Sequence, residues 1–311
     1  MARTRAAHSL MVLGWHNVAG TYCFPAAPGA GERGMERQFR LLRRAATVVP
    51  LAEALDDLAA GRPLPPRAVA LTFDDGYRDN LTVAGPMLRR LGLPATCFLV
   101  PGLLEGTTTA WWERLGWAFT DATVSSARWD GRVLDTTDAA ARRRAFGEVS
   151  EALKRRDRVR RDQGVDELVE LLAPTGSYDH EAQFLDWDGA RELRDYMELG
   201  SHSRYHAILS EESAADQAAD LASSRRELSE RLELDIRVLA YPNGTEADYD
   251  EATLAGVAAA GYDHAITTRP GWNVPATPRF EIRRWVMNPE RGVVDLGKFV
   301  RDLRMAPMFG R

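Results

Sequence analysis

Short apolar runs alternate with amphipathic stretches along most of this chain. Ser9 to Gly14 reads as a strand, and Ala68 to Phe73 (AVALTF) as another, followed at once by Asp-Asp-Gly. Leu81 to Leu91 places Leu81, Ala84, Leu88 and Leu91 on one helical face, because residues three and four apart are neighbours there. Ala95 to Val100 (ATCFLV) returns as a strand, so the order is β, α, β and a parallel sheet is expected.

The rhythm resumes further on. Trp187 to Tyr196 predicts a helix and Met197 to Ser201 a strand. Ser213 to Leu232 predicts a long helix with Leu221, Leu228 and Leu232 at helical spacing, and Ile236 to Tyr241 a strand. Asp250 to Ala260 predicts a helix stopped by Gly261; Ala265 to Thr268 and Phe280 to Val286 predict strands, and Val294 to Leu303 a last amphipathic stretch. Repeated β-then-α order fits a closed parallel barrel or an open doubly wound sheet, and the pattern alone does not choose between them.

Between the two halves, about Glu105 to Leu185, the character changes. Trp111 and Trp112 open it, and basic runs at 142–144, 154–156 and 160–161 are interleaved with acidic residues. This reads as a helical insertion with solvated faces, an anion-binding role being the sharper alternative. The paired tryptophans either pack in a core or line a sugar site, which flat apolar rings suit.

Composition narrows the classes. The 311 residues are 45% hydrophobic and 27% charged, with a formal net charge of −5, ordinary for a globular protein able to bury a large core. A nucleic-acid partner would favour a basic surface, which this balance does not supply. The two cysteines, Cys23 and Cys97, make no disulfide framework. The apolar run Leu10 to Leu13 is too short for a signal-peptide core, and no stretch is long enough for a membrane span, so a cytoplasmic location is the expectation. Oligomeric state leaves no signal.

Two motifs carry chemistry. Thr72-Phe73-Asp74-Asp75-Gly76 sets adjacent carboxylates at the C-terminal end of an apolar strand, where parallel α/β folds bind ligands. Adjacent carboxylates repel unless a cation or proton lies between them. His202-Ser203-Arg204-Tyr205-His206 follows another strand, and its two histidines share one face if the stretch is helical. Asp75, His202 and His206 together form a two-histidine, one-carboxylate set that leaves coordination positions open. Asp74 is left beside the ion as a candidate base.

In these motifs the chain resembles the polysaccharide deacetylases of the NodB-homology type, carbohydrate esterase family 4. The resemblance runs from about residue 9 to residue 290. It implies a distorted parallel (β/α) barrel, here a single catalytic domain over 1–311 with a helical insertion at about 105–185. It also implies metal-dependent removal of an acetyl group from an N-acetylated sugar. By this likeness Asp74 is the general base, and Asp75, His202 and His206 bind a divalent metal, Zn2+ first, with Co2+ or Mn2+ as alternatives. The third motif has Ala240-Tyr241-Pro242-Asn243-Gly244 where many relatives have Arg and then Pro-Tyr-Gly, which resembles a Tyr-Pro-x-Gly branch. Asn243 then supplies the main-chain N–H for the oxyanion, and Tyr241 and Trp111 are candidate substrate-binding residues.

The arginine that orients the base in relatives is replaced here by Ala240. Arg283 and Arg284 are the candidates for its role, Arg283 being named first. The family's C-terminal histidine acid is also missing, since no histidine follows His264. Among His8, His16, His180 and His264, the acid is assigned to His16, at the end of the first strand, as in relatives that resemble a circular permutation. Other readings are a metal amidohydrolase acting on a non-sugar amide, a catalytically silent carbohydrate-binding homologue and, more distantly, a two-metal phosphoesterase.

Overall fold

The structure is a computed structural model that describes residues 8–25 and 31–287. The predicted amphipathic stretch Val294 to Leu303 lies outside the described residues. The first half runs β1 (Leu10–Trp15), α1 (Gly31–Ala45), β2 (Thr47–Val48), α2 (Leu51–Ala59), β3 (Ala68–Phe73), α3 (Gly85–Leu91), β4 (Thr96–Leu99) and the short α4 (Pro101–Leu104). A turn of π-helix, Asn80–Ala84, leads into α3, so the amphipathic face read at 81–91 is shared between the two. The insertion follows with α5 (Trp111–Thr120), β5 (Ser126–Trp129), β6 (Arg132–Asp135), α6 (Ala139–Leu153), α7 (Arg158–Leu172) and α8 (His180–Gln183). The second half has α9 (Trp187–Leu193), β7 (Glu198–Ser201), α10 (Ala214–Leu232), β8 (Val238–Ala240), α11 (Glu251–Ala260), β9 (His264–Ile266) and β10 (Trp285–Val286).

The main sheet is parallel, in the order β10-β1-β3-β4-β7-β8-β9, with β2 pairing off the path on β3. Ile282 bridges Ile266 of β9, while Trp285 and Val286 pair with Leu13 and Gly14 of β1. One short stretch of chain therefore joins the last stave to the first, and the sheet curls into a distorted barrel. Of the strand expected over 280–286 only its end is regular, because Ile282 makes its bridge on one side and Trp285 on the other.

Side-chain alternation along the strands sorts the core. Leu10, Val12, Ala68, Ala70, Phe98, Val238, Ala240, Ile266 and Ile282 pack with Leu51, Ala54, Leu55 and Leu58 of α2. The intervening positions, among them Met11, Leu13, Val69, Leu71, Leu199 and Leu239, pack with the apolar faces of α1, α3, α9, α10 and α11. Helix ends follow local rules: Ser213 and Asp250 cap α10 and α11 through their side chains, and Gly261 in the left-handed region ends α11.

The insertion has an apolar cluster of its own, built on Trp111, Trp112, Trp117, Phe119, Val149, Leu153 and Leu168, and continuous with Tyr77 and Phe184. It is not wholly helical. The β5–β6 hairpin turns at Asp130-Gly131, both left-handed, which is the backbone a two-residue hairpin loop demands. Its basic runs are largely engaged close by. Arg142 donates to the carbonyls of Thr120, Ala122 and Thr136, Arg156 to Asp130, and Lys154 to Glu151. No helix among the described residues is long and apolar enough to cross a membrane.

Candidate active site

Parallel pairing brings every strand's C-terminal end to one mouth. Trp15 pairs with Phe73, Phe73 with Cys97, Leu99 with Ser201, and Ala240 with Ile266. The residues that follow these ends, His16, Asp74, Asp75, His202 and Tyr241, therefore meet without any long-range adjustment. With Asn243, Trp111 and Trp112 they border a cleft of about 540 Å³.

Asp75, His202 and His206 are all buried, and one ligand atom from each lies within 4.8 Å of the others. Asp75 Oδ1 is 3.4 Å from Nε2 of each histidine. That oxygen is buried with no hydrogen-bond partner among the described residues, so a cation between it and the two imidazoles would satisfy all three. His202 Nδ1 donates to the Ala240 carbonyl at 2.7 Å, which leaves Nε2 with its lone pair toward Asp75. Burial, the largest influence, lowers the His202 pKa to about 4, so the ring is neutral at neutral pH as a ligand must be. The donor set fits a divalent ion of the zinc type.

The helical reading of 202–206 is corrected by the structure. The stretch is a turn, with Ser203 (φ 61°) and His206 (φ 50°) in the left-handed region. The imidazoles converge because the chain doubles back, not because one helical face carries them. Three elements hold that turn. The Asp220 carboxylate of α10 accepts the Arg204 N–H at 2.6 Å, Gly102 N–H donates to the Arg204 carbonyl, and Arg161 of α7 donates to the His206 carbonyl.

Asp74 continues the inward-facing series of β3. Arg284 grips it with two parallel bonds of 2.7 Å, and Nη1 also reaches Thr72 Oγ1 at 3.2 Å. The arginine that holds Asp74 is thus Arg284 and not Arg283. Strand alternation decides between them, since Ile282 and Arg284 face the barrel interior and Arg283 faces away; the backbone N–H of Arg283 donates to Asn273 Oδ1. Gly14 makes room for the guanidinium, because a Cβ there would come within 2.9 Å of Arg284 Cδ. Burial pushes the Asp74 pKa up, but Arg284, His202 and His16 outweigh it and hold the carboxyl well below its usual range.

His16 Nε2 lies 3.8 Å from Asp74 Oδ2, and its ring stacks on Phe24. Its loop is tied down by Asp79, which accepts the Val18 and Ala19 N–H groups, and by Asn80, which donates to the His16 carbonyl. The other candidate acids are elsewhere. His264 opens β9 at the opposite end and bonds Asp56, and His180 bonds the Leu103 carbonyl. Asn243 sits with φ 56° at the cleft, and its side-chain Nδ2 is buried with no hydrogen-bond partner among the described residues. Tyr241 borders the cleft but is fully buried, with its hydroxyl donating to the Phe280 carbonyl and its ring stacked on Tyr249. Trp111 is buried at the cleft wall, below the Arg161 guanidinium. The residues that sequence reasoning missed are Asp79, Asn80, Glu113 and Asp220, while Trp112 was read only as a core or sugar-site ring and Arg161 only as part of a basic run. Glu113 binds Thr21, Cys23 and Tyr77 in one carboxylate, but nothing about an isolated Glu on a helix signals that.

Comparison with known proteins bears on the family and the fold. Poly-β-1,6-N-acetyl-D-glucosamine N-deacetylase of Escherichia coli (strain K12) is 32% identical over 89 residues, which is 28% of this chain and 13% of that protein. The chain therefore spans only a small part of that relative's length. Among solved structures, Streptococcus pyogenes deacetylase PplD in complex with acetate has a TM-score of 0.63 at 16% identity, covering 94% of this chain and 98% of that one. IcaB from Ammonifex degensii gives 0.59 at 19%, covering 96% and 98%, and the BpsB deacetylase domain from Bordetella bronchiseptica gives 0.58 at 20%, covering 90% and 96%. At these identities the likeness is one of fold. Residues 61–265 match the polysaccharide deacetylase family along about two-thirds of the chain, and the chain belongs to that family.

Proposed function

We propose that this chain removes the acetyl group from an N-acetylated amino sugar within a glycan, by metal-dependent hydrolysis that releases acetate. The observation that carries the reading is the pairing of an ionised, arginine-held Asp74 with the adjacent Asp75, His202 and His206 set. Poly-N-acetylglucosamine, the polymer in the name of the E. coli relative, is the first substrate to try.

Asp75, His202 and His206 would hold the ion, which when bound supplies a Lewis acid that polarises the acetamide carbonyl and acidifies water beside it. Asp74 takes a proton from the attacking water. Arg284 keeps Asp74 ionised, and its planar fork fixes the direction of the accepting oxygens. The main-chain N–H of Asn243, a residue that borders the cleft, would donate to the carbonyl oxygen as negative charge gathers there. His16, in its protonated form, gives a proton to the departing amine. The C–N bond breaks, a C–O bond forms, and the products are acetate and a free amino sugar.

Acetate release from N-acetylglucosamine oligomers, with and without a chelator, tests this. Turnover should require the divalent ion, and Asp74→Asn should retain metal while losing about 10²- to 10⁴-fold in rate, the usual weight of a general base. Chelator-resistant release, or an Asp74→Asn variant at full rate, overturns the mechanism.

A further inference from the structure

The two histidines of the ligand set are held in different ways. His202 is fixed through Nδ1 by the Ala240 carbonyl. His206 has no such bond, since its Nδ1 is buried without a partner among the described residues. A ring torsion of this kind is broad, so an imidazole with one free nitrogen swings its other nitrogen with it. What restrains His206 comes from the insertion. The Trp112 ring lies against the imidazole, with centroids 4.3 Å apart and planes at 42°. Trp112 Nε1–H donates to Tyr77 Oη at 2.9 Å, and Tyr77 stands two residues after Asp75. Tyr77 Oη in turn donates to Glu113 at 2.8 Å. From the other side, Arg161 Nη1 donates to the His206 carbonyl at 3.2 Å.

We propose that Trp112 is a positioning residue for the metal centre, bridging the loop of Asp75 and the loop of His206 and setting the imidazole angle that no hydrogen bond to Nδ1 sets. The inference rests on the reading of Asp75, His202 and His206 as metal ligands. It makes the insertion part of the metal centre and not a cover laid over it. Trp112 acts only through the ligands, so its effect is on how the ion is held.

The test measures Zn2+ affinity by chelator competition and the visible absorption of the Co2+-loaded protein, which reports the direction and identity of the donors. Trp112→Ala should weaken Zn2+ binding about ten- to a hundredfold, as loss of a ligand's supporting partner does, and should shift the Co2+ bands. Trp112→Phe keeps a ring and loses one hydrogen bond, so it should weaken binding about fivefold. Trp117→Phe, a buried tryptophan of the same helix away from the cleft, should leave affinity and spectrum as in the wild type. A folded Trp112→Ala with wild-type affinity and spectrum overturns the proposal. If that variant does not fold, Trp112→Phe with wild-type values does so. A wild-type chain that takes up neither ion, or a His206→Ala variant that binds as well as wild type, overturns the metal reading itself. Wild-type binding with silent Trp112 variants overturns this inference alone.

Discussion

Asp74 shows how a single contact sets a residue's chemistry. Burial pushes its carboxyl up, and the Arg284 fork, first among its charged neighbours and helped by His202 and His16, more than reverses that. Arg284→Met should therefore raise the Asp74 pKa, so the acid limb of the pH–rate profile moves to higher pH, and turnover at neutral pH falls about a hundredfold as the base loses its orientation. Gly14→Ala should shift the same limb in the same direction, since its methyl group collides with the Arg284 side chain. A profile unchanged in both variants would separate Arg284 from the base. The choice of Arg284 over Arg283 was legible in the sequence through the two-residue alternation from Ile282. Motif matching alone offered no such parity.

At the scale of elements, the turn 202–206 was legible as residues and not as backbone. Left-handed Ser203 and His206 leave no trace in sequence, because neither is a glycine or an asparagine. The Asp130-Gly131 hairpin carried a plain signal within a segment dominated by helices. Helix α1 went unread because its arginine-rich sequence hides an apolar face of Met35, Phe39 and Leu42. Asp220, which anchors the 202–206 turn, has a carboxyl pushed up by burial to about 6, its bonds from Arg204 and Tyr205 only partly offsetting that. A folded pKa above the unfolded value of about 3.9 means that the native state holds the proton more tightly. The stability this proton contributes is complete below about pH 4 and lost as pH rises through about 6. Compared with Asp220→Asn, which cannot titrate, the wild type should lose on the order of 2 kcal/mol of unfolding free energy between those limits. Urea denaturation of both proteins at the two pH values measures it, and parallel pH profiles would refute it.

For the whole molecule, alternation of short apolar runs and amphipathic stretches led to a parallel α/β fold, and the paired motifs led to the barrel's mouth. What remained unread is how the insertion joins that mouth, since Trp112–His206 and Arg161–His206 contacts link residues far apart along the chain. A ligand that binds only the native state stabilises the whole of it. Zn2+ at a hundredfold its Kd should thus raise unfolding free energy by about 2.7 kcal/mol, and His202→Ala should abolish the increment. Calorimetry with and without the ion reads this, and an equal gain in His202→Ala would place the ion elsewhere.

The stretch that joins β9 to β1 also carries Arg284. As the polypeptide leaves the ribosome, the aspartates and both histidines emerge well before that stretch does. Until residues 282–286 appear, β1 and β9 are raw edges inviting foreign strands, and the carboxylate at position 74 lacks the guanidinium that aims it. The same few residues thus seal the sheet and supply the guanidinium of the cleft, so neither is finished before the other.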